Sequence, residues 1–207
     1  MKVLLINGSS RKNGCTFTAL SEVAKTLNSE GIKTEILQVG ANPVRDCIGC
    51  GGCRGKNKCV FDDDMVNEWT EKAKSADGFV FGTPVYYAHP SGRILSVLDR
   101  MFYSAGEYFG HKPAAVIASA RRAGTTASFD AIAKYCGIKE MPVVSSTYWN
   151  MVHGNTPEEV VKDLEGMQTM RNIGINMAWL LKCIDAGKKS GVDAPVTEKK
   201  DKTNFIR

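Results

Sequence analysis

Short apolar segments alternate with amphipathic helical patterns along most of this 207-residue chain. Strands are predicted at residues 3–6, 34–37, 78–81, 114–118 and 143–148. Helices are predicted at residues 16–29, 64–76 and 91–103. A fourth helix is predicted to end near residue 136, and a fifth runs from residue 156 to about 186 with an irregularity near Gly166 or Gly174. Strands joined by helical crossovers form a parallel sheet with helices on both faces. The sequence therefore predicts an α/β fold.

The five predicted strands fit a doubly wound, flavodoxin-like parallel sheet with the strand order 2-1-3-4-5. In that order a ligand binds beyond the carboxyl ends of the strands, at the topological switch point between the first and third strands. The loops after residues 6, 81 and 118 lie at this point. The predicted domain spans residues 1–186 and includes a cysteine-rich insert at 46–62, and residues 187–207 form a basic C-terminal tail.

The loop after the first strand, residues 7–16, opens directly into the first helix. Unpaired N–H groups at a helix start, together with the helix dipole, form an anion site. Side chains in this loop add further hydrogen-bond donors, namely Ser9, Ser10, Arg11 and Thr16. The sequence predicts a phosphate site here, with an ordinary strand-to-helix turn as the alternative.

Three common phosphate loops do not match these residues. A Walker loop ends in Gly-Lys-Ser/Thr, whereas Gly14 is followed by Cys15. A dinucleotide fingerprint needs three glycines, and only Gly8 and Gly14 are present. A low-molecular-weight phosphatase would have an arginine six residues after its nucleophilic cysteine, and the residue six positions after Cys15 is Ser21. The remaining pattern favours the single phosphate of a mononucleotide such as FMN.

The loop after the third strand contains two adjacent aromatic residues, Tyr86 and Tyr87, beside Pro84. The fixed φ of proline stiffens the turn, and the tyrosine rings offer stacking surface for a flat isoalloxazine. Because this loop lies one strand away from the predicted phosphate site, we interpret it as a flavin contact. Core packing or a subunit contact is the alternative.

Four of the seven cysteines form a compact cluster at Cys47, Cys50, Cys53 and Cys59. Four thiolates are what a [4Fe–4S] cluster requires, and the glycines at 49, 51, 52 and 55 let the backbone turn around a centre. Zinc also accepts four thiolates. Empty thiols or a disulfide are a further alternative. Cys136 and Cys183 fall in helical patterns and are predicted to be small core residues.

These motifs together resemble those of one flavoprotein family. The segment Gly-Ser-Ser-Arg-Lys-Asn-Gly-Cys-Thr, residues 8–16, is similar to the Gly-Ser-Pro-Arg-Lys-x-x-x-Thr loop of NADPH-dependent FMN reductases and iron–sulfur flavoproteins. Residues 83–87 and 91–92 resemble the second flavin loop of that family, and the cysteine spacing matches its iron–sulfur branch. The resemblance extends over about residues 1–186.

The resemblance implies a set of FMN-binding residues in three loops. The first loop would hold the phosphate, the second would border the isoalloxazine and the third would close over it. The residues concerned are Ser9, Ser10, Arg11, Gly14, Cys15 and Thr16; Pro84, Val85, Tyr86, Tyr87 and Ala88; and Ser119, Gly124 and Thr125. Ser10 replaces the usual proline, and the third loop carries Arg121 and Arg122, which would meet nucleotide phosphates or face water.

The resemblance implies an FMN-dependent oxidoreductase that passes electrons from NAD(P)H to a flavin, quinone or other acceptor. The alternative is an iron–sulfur flavoprotein, with FMN and [4Fe–4S], that carries electrons between ferredoxin-like partners and an acceptor. A zinc-stapled nucleotide-binding module without redox activity is a third hypothesis. The family also suggests a homodimer or tetramer in which the insert reaches toward a neighbour's flavin.

The composition of the chain indicates the cellular compartment and the kinds of partner to expect. Hydrophobic residues make up 43% and charged residues 24% of the chain, and no apolar stretch approaches about 18 residues. With no signal-peptide pattern, we expect a cytoplasmic protein without membrane contact. Much of the net charge of +5 lies in the C-terminal tail. Because no aromatic residues alternate with its lysines, nucleic-acid binding is not expected.

Overall fold

The computed structural model describes residues 1–198, 201 and 203. Its strands are β1 (Lys2–Asn7), β2 (Lys33–Gln38), β3 (Gly78–Tyr86), β4 (His89–Pro90), β5 (Ala114–Ala120) and β6 (Met151–His153). Its helices are α1 (Cys15–Ser29), α2 (Val66–Lys74), α3 (Gly92–Ala105), α4 (Thr125–Ile138), α5 (Pro157–Lys162) and α6 (Leu164–Lys189). Residues 199, 200, 202 and 204–207 of the proposed basic tail lie outside the described residues.

Five parallel strands form the sheet in the order β2-β1-β3-β5-β6. The two-residue strand β4 only pairs antiparallel with the end of β3. Without β4 the order is 2-1-3-4-5, so the predicted flavodoxin-like topology is confirmed. In the part of the chain that the structure describes, no helix is long and apolar enough to cross a bilayer.

Side chains that alternate along the central strands supply two separate hydrophobic cores. Leu4, Phe79 and Val116 face α2, α3 and α4. On the opposite face of the sheet, Leu5 and Val80 pack against α1 and α6. Because both faces are covered, these strands are apolar at nearly every position. This double burial holds the carboxyl ends of β1, β3 and β5 at one edge.

The predicted fifth strand at residues 143–148 is wrong. Val143 makes only a single bridge to Ala114, and the chain then leaves the sheet at residues 145–149. It returns at Asn150, whose carbonyl accepts a hydrogen bond from the N–H of Ala118 at 3.0 Å. The Asn150 amide also donates to the Val144 carbonyl at 3.2 Å, which closes the excursion. The last strand of the sheet is therefore β6, which lies closer to the C-terminus than predicted.

The predicted start of the helical C-terminal segment is confirmed. The Thr156 hydroxyl accepts a hydrogen bond from the Glu159 N–H at 3.3 Å, and the Glu159 carboxylate accepts one from the Asn155 N–H at 2.7 Å. The expected irregularity lies at Asp163, between α5 and α6, and not at Gly166 or Gly174. Asp163 caps α6 by accepting a hydrogen bond from the Gly166 N–H at 2.9 Å.

Candidate functional site

The three predicted flavin loops meet at the carboxyl edge of the sheet. The Gly8 N–H donates to the Gly82 carbonyl at 2.8 Å, which joins the first loop to β3. The Ser91 hydroxyl donates to the Gly8 carbonyl at 2.7 Å. The hydroxyls of Thr16 and Ser119 lie 2.7 Å apart, which joins α1 to β5. The structure thus brings together the loops that the sequence assigned to one site.

Two residues outside the predicted set shape the first loop. The Asn7 carboxamide oxygen accepts from the Ser9 N–H at 3.1 Å, and the Gln38 amide donates to the Ser9 carbonyl at 2.5 Å. Asn7 and Gln38 also bond each other at 2.6 Å. Both are polar residues at the ends of neighbouring apolar strands, which is the signal that could have revealed them. Their bonds join the first loop to the ends of β1 and β2.

The start of α1 is open to an anion. Gly14 precedes the helix without a side-chain cap, and the first turn of α1 has no acidic residue. Ser9 and Thr16 are buried, Ser10 and Cys15 are half-buried, and Arg11 is exposed. Burial raises the pKa of the Cys15 thiol. Unpaired N–H groups and a nearby guanidinium therefore fit a phosphate.

The second loop is a tight hairpin between β3 and β4. Tyr86 pairs with His89, and the two residues between them, Tyr87 and Ala88, have φ angles of +50° and +60°. Residues with a side chain adopt this conformation rarely, and it costs roughly 1–3 kcal/mol at each. Tyr87 is fully exposed and Tyr86 is 48% exposed. The tyrosines are therefore not core residues, while Pro84 and Val85 are half-buried beneath them.

The third loop contacts the second loop at Gly124. This glycine has a φ of +89°, and a Cβ added there would lie 2.4 Å from the Ala88 Cα and 2.8 Å from a Val85 methyl. Thr125 is the first residue of α4. Its buried hydroxyl donates to the Met151 sulfur at 3.2 Å. Arg121 and Arg122 are exposed.

The four clustered cysteines line one cavity, together with Arg100, Tyr103 and Ser104 of α3. Cys47, Cys53 and Cys59 are half-buried and Cys50 is exposed, and all four are free thiols. Among the described residues, no three potential ligands meet closely enough for a single metal ion. Four thiols around a common cavity fit a polynuclear iron–sulfur group.

Cys59 is held by residues of α2 and α3 that the sequence analysis did not identify. Its N–H donates to the Asn67 side-chain oxygen at 2.9 Å, and the Asn67 amide donates back to the Cys59 carbonyl at 3.1 Å. The Arg100 Nε donates to the Cys59 sulfur at 3.3 Å. Burial opposes the charged form of Arg100, but the bonds to Asp64 and Cys59 outweigh it and raise the guanidinium pKa.

The two cysteines outside the cluster that were predicted to be core residues differ from each other. Cys136 is buried in α4, and burial raises the pKa of its thiol to about 12. Cys183 is exposed on α6, so its prediction as a core residue is wrong. It lies two positions after Leu181, which is buried, and a step of two residues rotates a helical side chain away from the core.

Replacing Ser91 with alanine is expected to lower the free energy of unfolding by about 1–2 kcal/mol. The Ser91 hydroxyl caps α3 through the Ile94 N–H at 3.3 Å and also donates to the Gly8 carbonyl. Urea denaturation of the variant measures the loss. Ser96→Ala is the control because that hydroxyl only donates to Gly92 of its own helix, and its effect should stay within about 0.5 kcal/mol. Equal losses in the two variants would contradict the assigned role of Ser91.

The chain belongs to the NADPH-dependent FMN reductase family, because residues 1–156 match the model of that family. An iron–sulfur flavoprotein of Methanocaldococcus jannaschii is 31% identical over 195 residues, covering 89% of this chain and 99% of the relative. An iron–sulfur flavoprotein of Methanosarcina thermophila is 27% identical, covering 91% and 99%. The solved structure of an archaeal flavodoxin has a TM-score of 0.60 at 14% identity, covering 88% of this chain and 99% of that one, and it supports the fold alone.

These matches confirm the resemblance seen in the motifs. The protein is a flavin-dependent redox protein, and its family membership implies FMN as the cofactor.

Proposed function

We propose that this protein is an iron–sulfur flavoprotein that carries electrons between a ferredoxin-like donor and an acceptor. FMN would bind at the three loops on the carboxyl edge of the sheet, and Cys47, Cys50, Cys53 and Cys59 would hold a [4Fe–4S] cluster. The observation that carries the proposal is the cavity that these four free thiols line. The relatives described as iron–sulfur flavoproteins support it over nearly the full chain.

Each group would supply a different redox capacity, since a flavin exchanges one or two electrons and a cluster exchanges one. The chain's own residues bind and orient both groups. The N–H groups at the start of α1, with Arg11, hold the phosphate. Pro84 and Tyr86 border the ring, and the N–H of Thr125 at the start of α4 offers a donor to negative charge that develops on it.

The test of the cluster is an anaerobic reconstitution with iron, sulfide and FMN. We expect about four irons and one FMN per chain. Cys50→Ser should lose most of the iron, because a hydroxyl is a poor ligand for iron–sulfur clusters. Cys183→Ser is the matched control because both thiols are exposed, and it should keep the iron of the wild type. Zinc in place of iron, or equal iron in the two variants, would refute the proposed cluster.

A second candidate function is the direct oxidation of NAD(P)H. It is supported by the family description and by the two exposed arginines, Arg121 and Arg122, next to the third loop. The two functions differ in the reductant that bleaches the flavin under anaerobic conditions. Rapid bleaching by NADPH would identify a reductase, whereas bleaching by reduced ferredoxin alone would identify the carrier that we propose.

A further inference from the structure

Arg100 is a fully buried cation whose four hydrogen bonds go to residues of the cysteine-rich insert or immediately beside it. Its side chain is 1% exposed, and it forms an ion pair with the Asp64 carboxylate, which is 9% exposed. The same guanidinium donates to the Arg45 carbonyl at 3.2 Å and to the Phe61 carbonyl at 3.0 Å. Its Nε then donates to the Cys59 sulfur. Arg100 therefore joins α3 to both ends of the segment that contains the cysteines.

The bond to sulfur is the feature that a structural role leaves unexplained. Burying a guanidinium costs several kcal/mol, so its donors normally face strong acceptors. A neutral thiol is a weak acceptor, whereas a thiolate or a metal-bound sulfur carries negative charge and accepts a strong, charge-assisted bond. The Arg100 Nε is thus placed to donate to a Cys59 sulfur that serves as a metal ligand.

Cys59 also differs from the other three cysteines in how it is held. Asn67 fixes its backbone from α2 and Arg100 contacts its sulfur from α3. Within the described residues, the thiols of Cys47, Cys50 and Cys53 receive no side-chain hydrogen bond. Among the four clustered cysteines of the described chain, Cys59 is thus the one whose sulfur accepts a hydrogen bond from a cationic side chain.

We propose that Arg100 raises the reduction potential of the iron–sulfur centre through its bond to Cys59. One-electron reduction adds one negative charge to the centre. A buried cation and a hydrogen bond to a ligand sulfur both stabilise that added charge, and both are known determinants of cluster potential. Arg100 is thus a positioning residue that sets how readily the centre accepts an electron. This inference rests on the proposed function, because it requires a cluster in the cavity.

The test compares Arg100→Gln and Asp64→Asn in the anaerobically reconstituted holoprotein. The potential is measured by titration with dithionite in the presence of mediators, followed by electron paramagnetic resonance. We expect Arg100→Gln to lower the equilibrium constant for reduction about tenfold, which is a shift of about 59 mV to more negative potential. Asp64→Asn removes a negative charge instead and should shift the potential in the positive direction.

The opposite signs separate an electrostatic role from a structural one. Both variants break the same ion pair, so a residue that only holds the loop together would produce shifts of the same sign. Shifts of one sign, or an unchanged potential in Arg100→Gln, would overturn the inference while the cluster itself stands. A wild type that takes up no iron would instead refute the proposed function.

A third variant covers the case in which Arg100→Gln cannot be loaded with iron. Arg100→Lys keeps the charge but lacks the fork that reaches Asp64 and the Cys59 sulfur together. We expect its potential to lie below that of the wild type. A wild-type potential in Arg100→Lys would show that the bond to sulfur does not contribute.

Discussion

Replacing Arg100 with methionine should lower the free energy of unfolding by about 3–5 kcal/mol, because it leaves a buried carboxylate without its cation. Asp64 would lose its partner, and the carbonyls of Arg45 and Phe61 would lose a donor. Urea denaturation of the protein without its cofactors, followed by circular dichroism, measures this change separately from metal binding. The expected loss is a large fraction of the stability of a typical domain.

Two further variants identify the source of that loss. Combining Arg100→Met with Asp64→Leu should restore much of the stability, since removal of a whole buried pair is often close to neutral. Lys182→Met is the control for an exposed pair, because Lys182 and Glu30 are 48% and 40% exposed. Its cost should be about 0–1 kcal/mol. If Arg100→Met also lost only about 0–1 kcal/mol, the result would contradict our assignment of Arg100 and Asp64 as a buried, energetically coupled ion pair.

Replacing Gly124 with alanine should weaken FMN binding about 5- to 150-fold, which corresponds to roughly 1–3 kcal/mol. The methyl group would overlap the Ala88 backbone, and the φ of +89° is unfavourable for any residue with a Cβ. The third loop would relieve both by moving away from the second loop. FMN would then have to restore their contact, and fluorescence titration of the apoprotein measures the loss of affinity.

Gly137→Ala is the matched control, since Gly137 lies in α4, the helix that Gly124 immediately precedes. A Cβ at Gly137 meets nothing within 4 Å, so the helix should gain about 0.5–1 kcal/mol of stability and FMN affinity should not change. Wild-type affinity in Gly124→Ala would show that contact between the second and third loops is not needed for binding.

The sequence was sufficient for the features that depend on local patterns. Apolar segments separated by helical periodicity predicted the sheet and its strand order, and the boundaries of α1 came within one residue of the observed Cys15–Ser29. The capping pair at Thr156 also required only neighbouring residues. The prediction of a strand at 143–148 was wrong because the same alternation of apolar and polar residues is compatible with an exposed segment outside the sheet. The hydrogen bond from the Asn150 amide to the Val144 carbonyl, which the sequence pattern does not show, decides for the exposed segment.

The sequence by itself determined the fold, the three loops and the cysteine spacing, because each is encoded by residues close together in the chain. Only the tertiary structure decided what surrounds them. Gln38 reaches Ser9 across 29 positions, and Arg100 reaches Cys59 across 41. Such contacts form because a parallel sheet brings distant loops to one edge and packs α3 beneath the cysteines. No local sequence pattern predicts which buried charged side chain will contact which cysteine sulfur.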